Sequence, residues 1–552
     1  MYFKFFAAVY CIIFGVFGNP NLLLDKYRYI SVVLDQKSNT LVIKNHTNDD
    51  YVAKAAFKNS MNESGWSKLY VSTNGKYSDV LQAEAAGMAE GFLTSDHISM
   101  NYMNTLNDYC VNEKEYCKKL ENFIDENSKW MSQQLEIKEN AKSLYWQQVV
   151  LVNKQLEGLL NGYLESNTQP SLTLLNVRML QLYGDLFDLE KRLGKKSFKK
   201  FGSCSGLVKL FPNNSDLVIS HVTWFSYSTM LRIFKYYNFT FHDEQGNLIP
   251  GNEQSFASYP GSLLSLDDFY ILSSGLVTQE TSISNDNNNL WEYVQPSSLF
   301  EWVRNIVANR LASTASEWCY LFERYNSGTY NNQWMILNYN LFEPGKHLKP
   351  DTFWVLEQLP GIVEMADMSI FLQENGYWAS YNIPYFPYIY NISGYMDSLK
   401  KFGDFFDYNL NPRAQIFKRD HMKVSDMQSL IKLMRYNNFQ NDPFAKCNCT
   451  PSHNAANAIS SRNDMNPANG SYPFSDLVHD KFGAIDCKAT SFQLSKLMSQ
   501  FIVGGPTYDQ QPPFQWSKTE WNRPLGHPDI FKFNPELLDW RKEEWIYSKL
   551  NI

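Results

Sequence analysis

Beyond its first eighteen residues, the sequence lacks an apolar run long enough to cross a membrane. Charge is also scarce: 19% of residues are charged, the formal net charge is -7, and no extended basic patch stands out. This composition argues against a nucleic-acid partner. Hydrophobic residues make up 44% of the 552 residues, which excludes disorder as the main state and allows two ordinary domains or one large layered domain.

The N-terminus carries the one strongly apolar segment. Residues Met1–Gly18 read MYFKFFAAVYCIIFGVFG, with Lys4 near the start and a small residue at the end. This pattern predicts a signal peptide over 1–18, because the apolar run is too short to span a bilayer; a buried first helix is the alternative. We therefore expect a soluble mature chain that is secreted or lysosomal. Seven glycosylation sequons agree with this route: Asn45, Asn62, Asn213, Asn238, Asn391, Asn448 and Asn469.

Cysteine is scarce too, and its count becomes odd once Cys11 leaves with the signal peptide. Seven cysteines then remain, and in an oxidising compartment an odd number leaves at least one thiol unpaired. Cys110 and Cys117 are close enough to bridge a loop between helices. Cys447 and Cys449 are separated by a single residue, and a bridge that tight would be strained. An unpaired thiol with no role is a liability, which draws attention to the cysteines left over.

Strand patterns give way to helix patterns in the first part of the mature chain. Residues 27–58 alternate short β-like runs with polar breaks and predict a pair of strands. Residues 80–92 are rich in small side chains that permit close helix packing, and 133–165 and 171–193 have apolar residues at helical spacing. The segment 194–202, GKKSFKKFG, predicts a solvated linker accessible to proteases; binding to anionic lipid head groups is the alternative.

A hairpin pattern follows this linker. The apolar runs 207–211 and 217–224 flank the turn PNNSD, which has proline, asparagine and aspartate where turns favour them. Residues 226–237 then predict an amphipathic helix, and short strands are expected over 333–340 and 352–356. The sequence contains no internal repeat.

Cys204, in Gly202-Ser-Cys-Ser-Gly206, allows three interpretations. A nucleophile elbow needs a strand before it and a helix after it, whereas here a linker precedes and a strand follows, so we reject it. A buried structural cysteine is the second interpretation. The third is an N-terminal nucleophile, which opens a central strand directly after a cleavable linker, and the chain supplies both features.

The third interpretation has a simple chemistry. The Cys204 thiol attacks the Ser203 carbonyl, and water hydrolyses the resulting thioester. Cleavage frees the α-amino group of Cys204, which ordinarily titrates at about 7.7–8.0 and can serve as the base of its own thiol. Neither a cofactor nor a metal is required. In an acid compartment the amine would be largely protonated unless its neighbours lower its pKa.

Four stretches resemble the phospholipase B-like family, and the resemblance runs from about residue 25 to the C-terminus. They are CSGLVKLFPNNSDLVISHVTWFSYSTMLRIFKYY (204–237), SGTYNNQWMILNYNLF (327–342), IFKRDHMKVSDMQSLIKLMRYNNFQNDPFAKC (416–447) and NAISSRNDMNPANG (457–470). The resemblance implies an α+β fold, the four-layer αββα sandwich of N-terminal-nucleophile hydrolases with a helix-rich N-terminal part. It also implies cleavage into chains 19–203 and 204–552 that stay associated in one hydrolase domain, a lysosomal or secreted location, and deacylation of phospholipids.

Further site residues follow partly from spacing and partly from the resemblance. His221 and Thr223 lie two apart on the returning strand, so they face the same side and would flank Cys204; a core histidine is the alternative. The resemblance places an oxyanion-stabilising asparagine at the Asn331-Asn332 pair, of which Asn332 is favoured; a turn asparagine is the alternative. Arg419 in IFKRD would anchor the site or a substrate carboxyl or phosphate, unless it forms a surface ion pair.

One departure from the family concerns the second cysteine pair. Relatives space that pair more widely than Cys447 and Cys449, which leaves the expected bridge open. Together with His453 the two thiols would suggest a zinc cluster, but a fourth ligand at metal spacing is not evident.

Three functions compete at this point. The first is a phospholipase B-like enzyme that removes fatty acyl chains from glycerophospholipids at a membrane or micelle surface. The second is an amidase on N-acyl lipids or peptides, because the same apparatus serves amides equally well. The third is a non-catalytic lysosomal lipid-binding glycoprotein that keeps the fold.

Overall fold

The computed structural model describes residues 27–46, 50–196 and 203–550. The predicted signal peptide lies outside the described residues, and so do positions 197–202 of the predicted linker. Within the described parts of the chain, no helix combines the length and the hydropathy that crossing a bilayer requires.

The described residues form twenty strands, which fall before residue 74 and after residue 202. In chain order they are β1 (Tyr27–Asp35), β2 (Thr40–Lys44), β3 (Ala53–Lys58), β4 (Ser67–Thr73), β5 (Ser203–Leu210), β6 (Leu217–Ser226), β7 (Ile233–Asn238), β8 (Glu253–Ser258), β9 (Phe269–Leu272), β10 (Leu276–Ser282), β11 (Asn332–Asn338), β12 (Phe353–Leu359), β13 (Ile362–Asp367), β14 (Tyr377–Ser380), β15 (Phe482–Ala484), β16 (Asp486–Ser491), β17 (Gln500–Gly504), β18 (Phe514–Gln515), β19 (Ile530–Phe531) and β20 (Glu536–Leu538).

The α-helices fall into an N-terminal group and a later group. They are α1 (Met61–Ser64), α2 (Asp79–Leu93), α3 (Ser95–Thr105), α4 (Lys114–Glu136), α5 (Lys138–Lys142), α6 (Leu144–Glu165), α7 (Leu174–Gln181), α8 (Asp185–Leu193), α9 (Glu301–Leu311), α10 (Ala315–Glu323), α11 (Ser369–Asn375), α12 (Pro387–Ile392), α13 (Tyr395–Phe402), α14 (Pro412–Asp420), α15 (Met427–Met434), α16 (Phe492–Ser495) and α17 (Glu544–Leu550).

Two large sheets organise the chain. The first has eleven strands in the order β13-β12-β11-β10-β9-β8-β7-β4-β3-β1-β2. The second has seven: β14-β5-β6-β16-β17-β20, with β15 also paired to β6. In the first sheet β4 and β7 pair in parallel, and this ladder joins the part of the chain before Cys204 to the part after it.

Three apolar clusters define the layers. Val208 and Ile219 of the second sheet pack with Phe234 and Met335 of the first, so the two sheets face each other. A larger cluster joins the other face of the eleven-stranded sheet to α2, α6, α9 and α10. A third joins the outer face of the second sheet to α14 and α15. The layer order is therefore helices, first sheet, second sheet, helices.

The helix-rich N-terminal part contains the close helix packing predicted for residues 80–92. Gly87 and Gly91 of α2 face α6, where an added Cβ would lie 1.9 Å from the Gln155 carbonyl oxygen and 2.0 Å from that of Leu159. Gly158 of α6 meets α2 equally closely. No side chain fits at these contacts, so the small residues are required by the packing.

Two predictions of secondary structure are wrong. Residues 27–58 form three strands instead of a pair. The helix predicted over 226–237 is absent: Ser226 ends β6, and Ile233–Asn238 is the buried strand β7. Phe234 packs between the sheets, while Tyr237 faces the helices. A strand buried on both faces has a continuous apolar run, which periodicity alone does not distinguish from a buried helix.

Four cysteines form disulfides. Cys110 is bonded to Cys117 and Cys447 to Cys449, as the sequence analysis proposed for the first pair and left open for the second. The sulfurs of the second pair are bonded to each other, so they are not thiolate ligands for the zinc cluster considered above. Cys204, Cys319 and Cys487 are the unpaired cysteines of the described residues, and all three are buried.

Candidate active site

Cys204 lies near the start of β5, an internal strand of the second sheet between β14 and β6, and its side chain faces the first sheet. The predicted hairpin is confirmed, because β5 pairs with β6 in antiparallel register and Cys204 lies opposite Thr223. Cys204 is only 5% exposed, whereas the preceding Ser203 is half-buried.

Two residues distant in sequence hold the backbone of Cys204. Its N–H donates to Asn382 Oδ1 at 3.1 Å, and its carbonyl oxygen accepts from Arg413 Nη1 at 2.6 Å. Arg413 also donates to Asn382 Oδ1 at 2.8 Å and to the Tyr381 carbonyl at 2.6 Å. Its guanidinium lies 4.3 Å from the centre of the Trp224 ring. Sequence reasoning missed both Asn382 and Arg413.

The thiol of Cys204 is protonated in the uncut chain. Burial raises the pKa of this thiol well above its ordinary value, and the neighbouring Glu280 carboxyl raises it further. The backbone N–H of Trp224 and the cation of Lys488 act in the opposite direction, while Asp486 adds to the increase. A cation or a base must therefore assist if the sulfur is to attack.

His221 and Thr223, on β6, lie on the same face of the second sheet as Cys204, on β5, as their spacing predicted. His221 Nε2 is 2.8 Å from the Glu280 carbonyl oxygen, and its Nδ1 is 3.4 Å from Thr223 Oγ1. Burial lowers the pKa of His221 well below its ordinary value, so the imidazole is neutral. Its hydrogen bonds satisfy the core-histidine alternative and link it to Thr223, which lies opposite Cys204. Its catalytic role stays a prediction.

A buried cluster of four charged residues adjoins Thr223. Lys488 Nζ donates to Thr223 Oγ1 at 2.7 Å, to Asp486 Oδ2 at 2.8 Å and to Asp267 Oδ2 at 3.3 Å. Arg232 bonds the same two carboxylates. Burial lowers the pKa of Lys488 to about 8. The alternation of the charged Asp486 and Lys488 with the apolar Cys487 and Ala489 was the signal that sequence reasoning overlooked.

A cavity of about 250 Å³ opens beside the Ser203–Cys204 bond. Its wall combines residues that precede the bond in the sequence with residues that follow it. Glu190 and Lys191 of α8 are among those that precede it. Aromatic rings form much of the remainder, so the cavity offers apolar surface together with one buried guanidinium. Representative lining residues after the bond are Trp224, Tyr381, Tyr395, Phe406, Arg413 and Phe482.

Asn331 and Asn332 lie at the start of β11. Asn331 donates to the Asp188 carboxylate at 3.1 Å. Asn332 lies opposite Ser282 and is fully buried, and neither polar atom of its amide has a hydrogen-bond partner among the described residues. The carbonyl of Ser282 accepts a hydrogen bond from Asn382, the residue that also bonds the Cys204 N–H. Ser282 therefore lies between Asn332 and Asn382. Its oxyanion role stays a prediction.

Arg419 is not brought to the cavity. It lies on α14, six residues after Arg413, and its guanidinium pairs with Asp420 at 2.7 Å and Asp442 at 2.9 Å. The side chain is 33% exposed. This is the surface ion pair that the sequence analysis set against an anchoring role, and Arg413 occupies the position expected of the anchor.

Two further predictions concern the protein surface. Lys195, in the predicted solvated linker, is in fact buried: its ammonium bonds Glu190 at 2.6 Å and lies 3.6 Å from the Tyr109 ring centre. The sequon asparagines are accessible except Asn238, which is half-buried at the end of β7. The exposed ones are Asn45, Asn62, Asn213, Asn391, Asn448 and Asn469.

The chain is similar to known proteins over most of its length. The model of the family described as Phospholipase B matches residues 53–537. The chain is 47% identical over 540 residues to "Putative phospholipase B-like 2" of Mus musculus, covering 95% of this chain and 90% of that protein. Its namesake from Homo sapiens is 46% identical over 528 residues, covering 92% and 89%. "Phospholipase B-like protein B" of Dictyostelium discoideum is 42% identical over 503 residues, covering 87% and 84%.

Proposed function

The chain belongs to the phospholipase B family, and from this membership we propose that it is an acyl hydrolase matured by cleavage of its own Ser203–Cys204 bond. The observation that carries the proposal is the position of Cys204. It is an unpaired, buried thiol at the start of an internal strand, and Ser203 before it lines a cavity.

Self-cleavage begins when the Cys204 sulfur attacks the Ser203 carbonyl carbon. The bond to the Cys204 nitrogen breaks and leaves a thioester, which water hydrolyses to a Ser203 carboxylate and a free thiol. The new α-amino group then lies beside Asn382 and Arg413, the partners of the Cys204 backbone in the uncut chain.

These partners suit the amine to act as a base. Asn382 Oδ1 accepts a hydrogen bond from the amine and so orients its lone pair. The Arg413 guanidinium disfavours a second positive charge nearby and therefore lowers the pKa of the amine. A lower pKa keeps part of the amine neutral in an acid compartment, where an unperturbed amine would be protonated. Turnover then proceeds through an acyl thioester on Cys204 that water hydrolyses.

The layer order of the structure supports an αββα N-terminal-nucleophile hydrolase fold, and the ladder between β4 and β7 supports lasting association of the two fragments. Six residue pairs, from Ser67–Ile233 to Ser72–Asn238, join the fragments within one sheet. The buried Lys235 of the later fragment also bonds Glu90 of the earlier one at 2.5 Å. Cleavage removes none of these contacts.

The substrate class follows from family membership and from the cavity wall. We propose glycerophospholipids presented at a membrane or micelle surface, with one acyl chain held against the aromatic rings, and a secreted or lysosomal location. Phospholipid head groups would remain outside, because the 250 Å³ cavity is too small for a whole phospholipid.

The cavity volume favours a second candidate, an amidase on N-acyl lipids or peptides. Small-molecule sites typically enclose about 300–1,000 Å³, and 250 Å³ falls below that range. A compact acyl amide fits such a space more readily than a diacyl lipid. Both candidates share Cys204 and differ only in the leaving group.

N-terminal sequencing and mass spectrometry of the mature protein test the proposal. We expect a fragment that begins at Cys204. The purified two-chain protein is then incubated with a phosphatidylcholine and, in parallel, with an N-acyl amide. Release of fatty acid from the first supports the phospholipase and release from the second alone supports the amidase. Absence of turnover of both would favour a lipid-binding protein, and fragments that never begin at Cys204 would overturn self-cleavage there.

A further inference from the structure

Self-cleavage and turnover cannot use the same base. Before cleavage the nitrogen of Cys204 belongs to a peptide bond, and its N–H donates to Asn382. An amide nitrogen has no basic lone pair, so the α-amine becomes available only after the first reaction. The proton of the Cys204 thiol must therefore leave by another path in the uncut chain.

The bonding of Lys488 fixes the direction of such a path. An ammonium group has three N–H donors, and the three acceptors around Lys488 are Thr223, Asp486 and Asp267. Arg232 pairs with the same two carboxylates, so the buried charges balance. Lys488 is thus a fixed cation whose third bond determines how the Thr223 hydroxyl is oriented.

The hydroxyl proton of Thr223 then has one acceptor on the histidine side. The Glu280 carbonyl can only accept, so His221 Nε2 carries a hydrogen and Nδ1 is free to accept. Thr223 Oγ1 lies 3.4 Å from that Nδ1. Donors and acceptors therefore run from Lys488 through Thr223 to His221.

Cys204 lies directly opposite Thr223 in the hairpin. Opposite residues on one face have Cβ atoms about 4.5–5.5 Å apart, which brings the thiol within reach of the Thr223 hydroxyl. Lys488 and Cys204 also interact electrostatically, and the cation favours the thiolate.

We propose that Lys488 is a positioning residue for self-cleavage: its ammonium holds the Thr223 hydroxyl between the Cys204 thiol and His221 Nδ1 and stabilises the thiolate. The inference rests on the proposed self-cleavage. The thiol proton passes to Thr223 Oγ1 while the Thr223 proton passes to His221 Nδ1, and sulfur forms its bond to the Ser203 carbonyl carbon. The bond from that carbon to the Cys204 nitrogen then breaks, and the nitrogen recovers a proton from His221 through Thr223. Water hydrolyses the thioester.

Thr223 offers a nearly isosteric test. The full-length chain is pulse-labelled in secreting cells, and appearance of the fragment starting at Cys204 is timed for wild type, Thr223→Ser and Thr223→Val. We expect Thr223→Ser to cut within about threefold of the wild-type rate and Thr223→Val to cut at least about tenfold more slowly. Equal rates for valine and wild type would overturn the inference.

Lys488→Met tests the cation. We expect cleavage at least about tenfold slower than wild type, with far-ultraviolet circular dichroism unchanged. Isolated uncut Lys488→Met chain should cut faster as pH rises, because hydroxide ionises the thiol without help from the cation; a purely structural defect would not respond to pH in this way. If this variant fails to fold, the threonine series decides alone. If the wild-type chain is not cut, the proposed function fails. If the wild-type chain is cut and the variants are cut at the same rate, this inference alone fails.

Discussion

Cys204 and Cys487 are both unpaired, both buried and both on strands adjacent to β6, yet they face opposite sides of the second sheet. Cys204 faces the first sheet opposite Thr223, which bonds the buried charged cluster, and its backbone is held by Asn382 and Arg413. Cys487 faces outward into an apolar cluster with Leu430 and Met434. Burial alone therefore does not distinguish these two cysteines, whereas the residues around them do.

The pKa values of the two thiols support the same conclusion. Burial raises the pKa of Cys487 to about 12 and that of Cys204 well above its ordinary value. Neither thiol ionises unaided at neutral pH. Of the two thiols, only that of Cys204 lies opposite a hydroxyl, that of Thr223, which Lys488 bonds. Ser203, whose carbonyl precedes Cys204, also lines the cavity. A reactive cysteine is identified here by its proton path rather than by its own acidity.

The largest effect is expected from exchanging the two thiols for alanine. Cys204→Ala should abolish both cleavage and turnover, because no other group of the site supplies the sulfur. Cys487→Ala should still be cut and active, with unfolding free energy lower by about 1 kcal/mol for the lost packing. Gel analysis of fragments, fatty-acid release and urea unfolding measure the three quantities. Cleavage that persists in Cys204→Ala would assign the cut to another protease.

Stability at different pH tests the candidate site separately, because the carboxyl of Asp188 on α8 is buried and bonds Asn331. Burial raises the pKa of Asp188 from 3.8 to about 7. The folded state holds this proton more tightly, so the stabilisation is complete below about pH 4 and is lost as pH rises through 7. The expected slope is about 1.4 kcal/mol per pH unit.

Asp188→Asn removes that titration. Between pH 5 and 7 we expect its unfolding free energy to fall by about 2–3 kcal/mol less than that of wild type. Asp397→Asn, at an exposed position of α13, is the matched control and should follow wild type. Urea unfolding at the two pH values measures both differences. A wild-type fall in Asp188→Asn would mean that the carboxyl is ionised throughout.

Sequence reasoning identified the part of the site that is local in the chain. The turn PNNSD and its flanking apolar runs determine a hairpin, and a hairpin with this spacing places Cys204, His221 and Thr223 on one face. The four stretches that resemble the phospholipase B-like family added the prediction of an αββα fold. The early helices were also largely readable, although the stretch predicted as one helix over 133–165 is interrupted at Ile137 and Ser143.

The remainder of the site depends on pairing between distant segments. Asn382 follows β14, whose pairing with β5 cannot be read from periodicity, and it adopts a positive φ of 66°. Lys488 reaches Thr223 because β16 pairs with β6 in one particular register. Arg419 was chosen because it lies in the matched stretch IFKRD, and only tertiary packing shows that Arg413, on the same helix, is the arginine that bonds Cys204.

Those two arginines provide the next comparison. Arg413→Met removes a cation and should therefore raise the pKa of the Cys204 α-amine. In the cut protein, the acid limb of the pH profile of kcat/KM should then move up by about one pH unit. Arg413→Lys should retain most of the wild-type profile because it retains the charge. Arg419→Met should leave the profile in place, since its partners Asp420 and Asp442 lie away from the cavity. Coincident profiles for Arg413→Met and wild type would exclude an influence on the amine.

The smallest effect is expected from Val222→Thr, which adds a hydroxyl next to Thr223 but on the opposite face of β6. Val222 is fully buried in the apolar cluster that contains Cys487. The new hydroxyl should lower the unfolding free energy by about 1–2 kcal/mol, since the surrounding side chains of that cluster are apolar. Cleavage should proceed at the wild-type rate, because the proton path runs on the other face. Slower cleavage with unchanged stability would show that the outer face also shapes the reaction, and the two sides of the sheet would then differ less than their side chains imply.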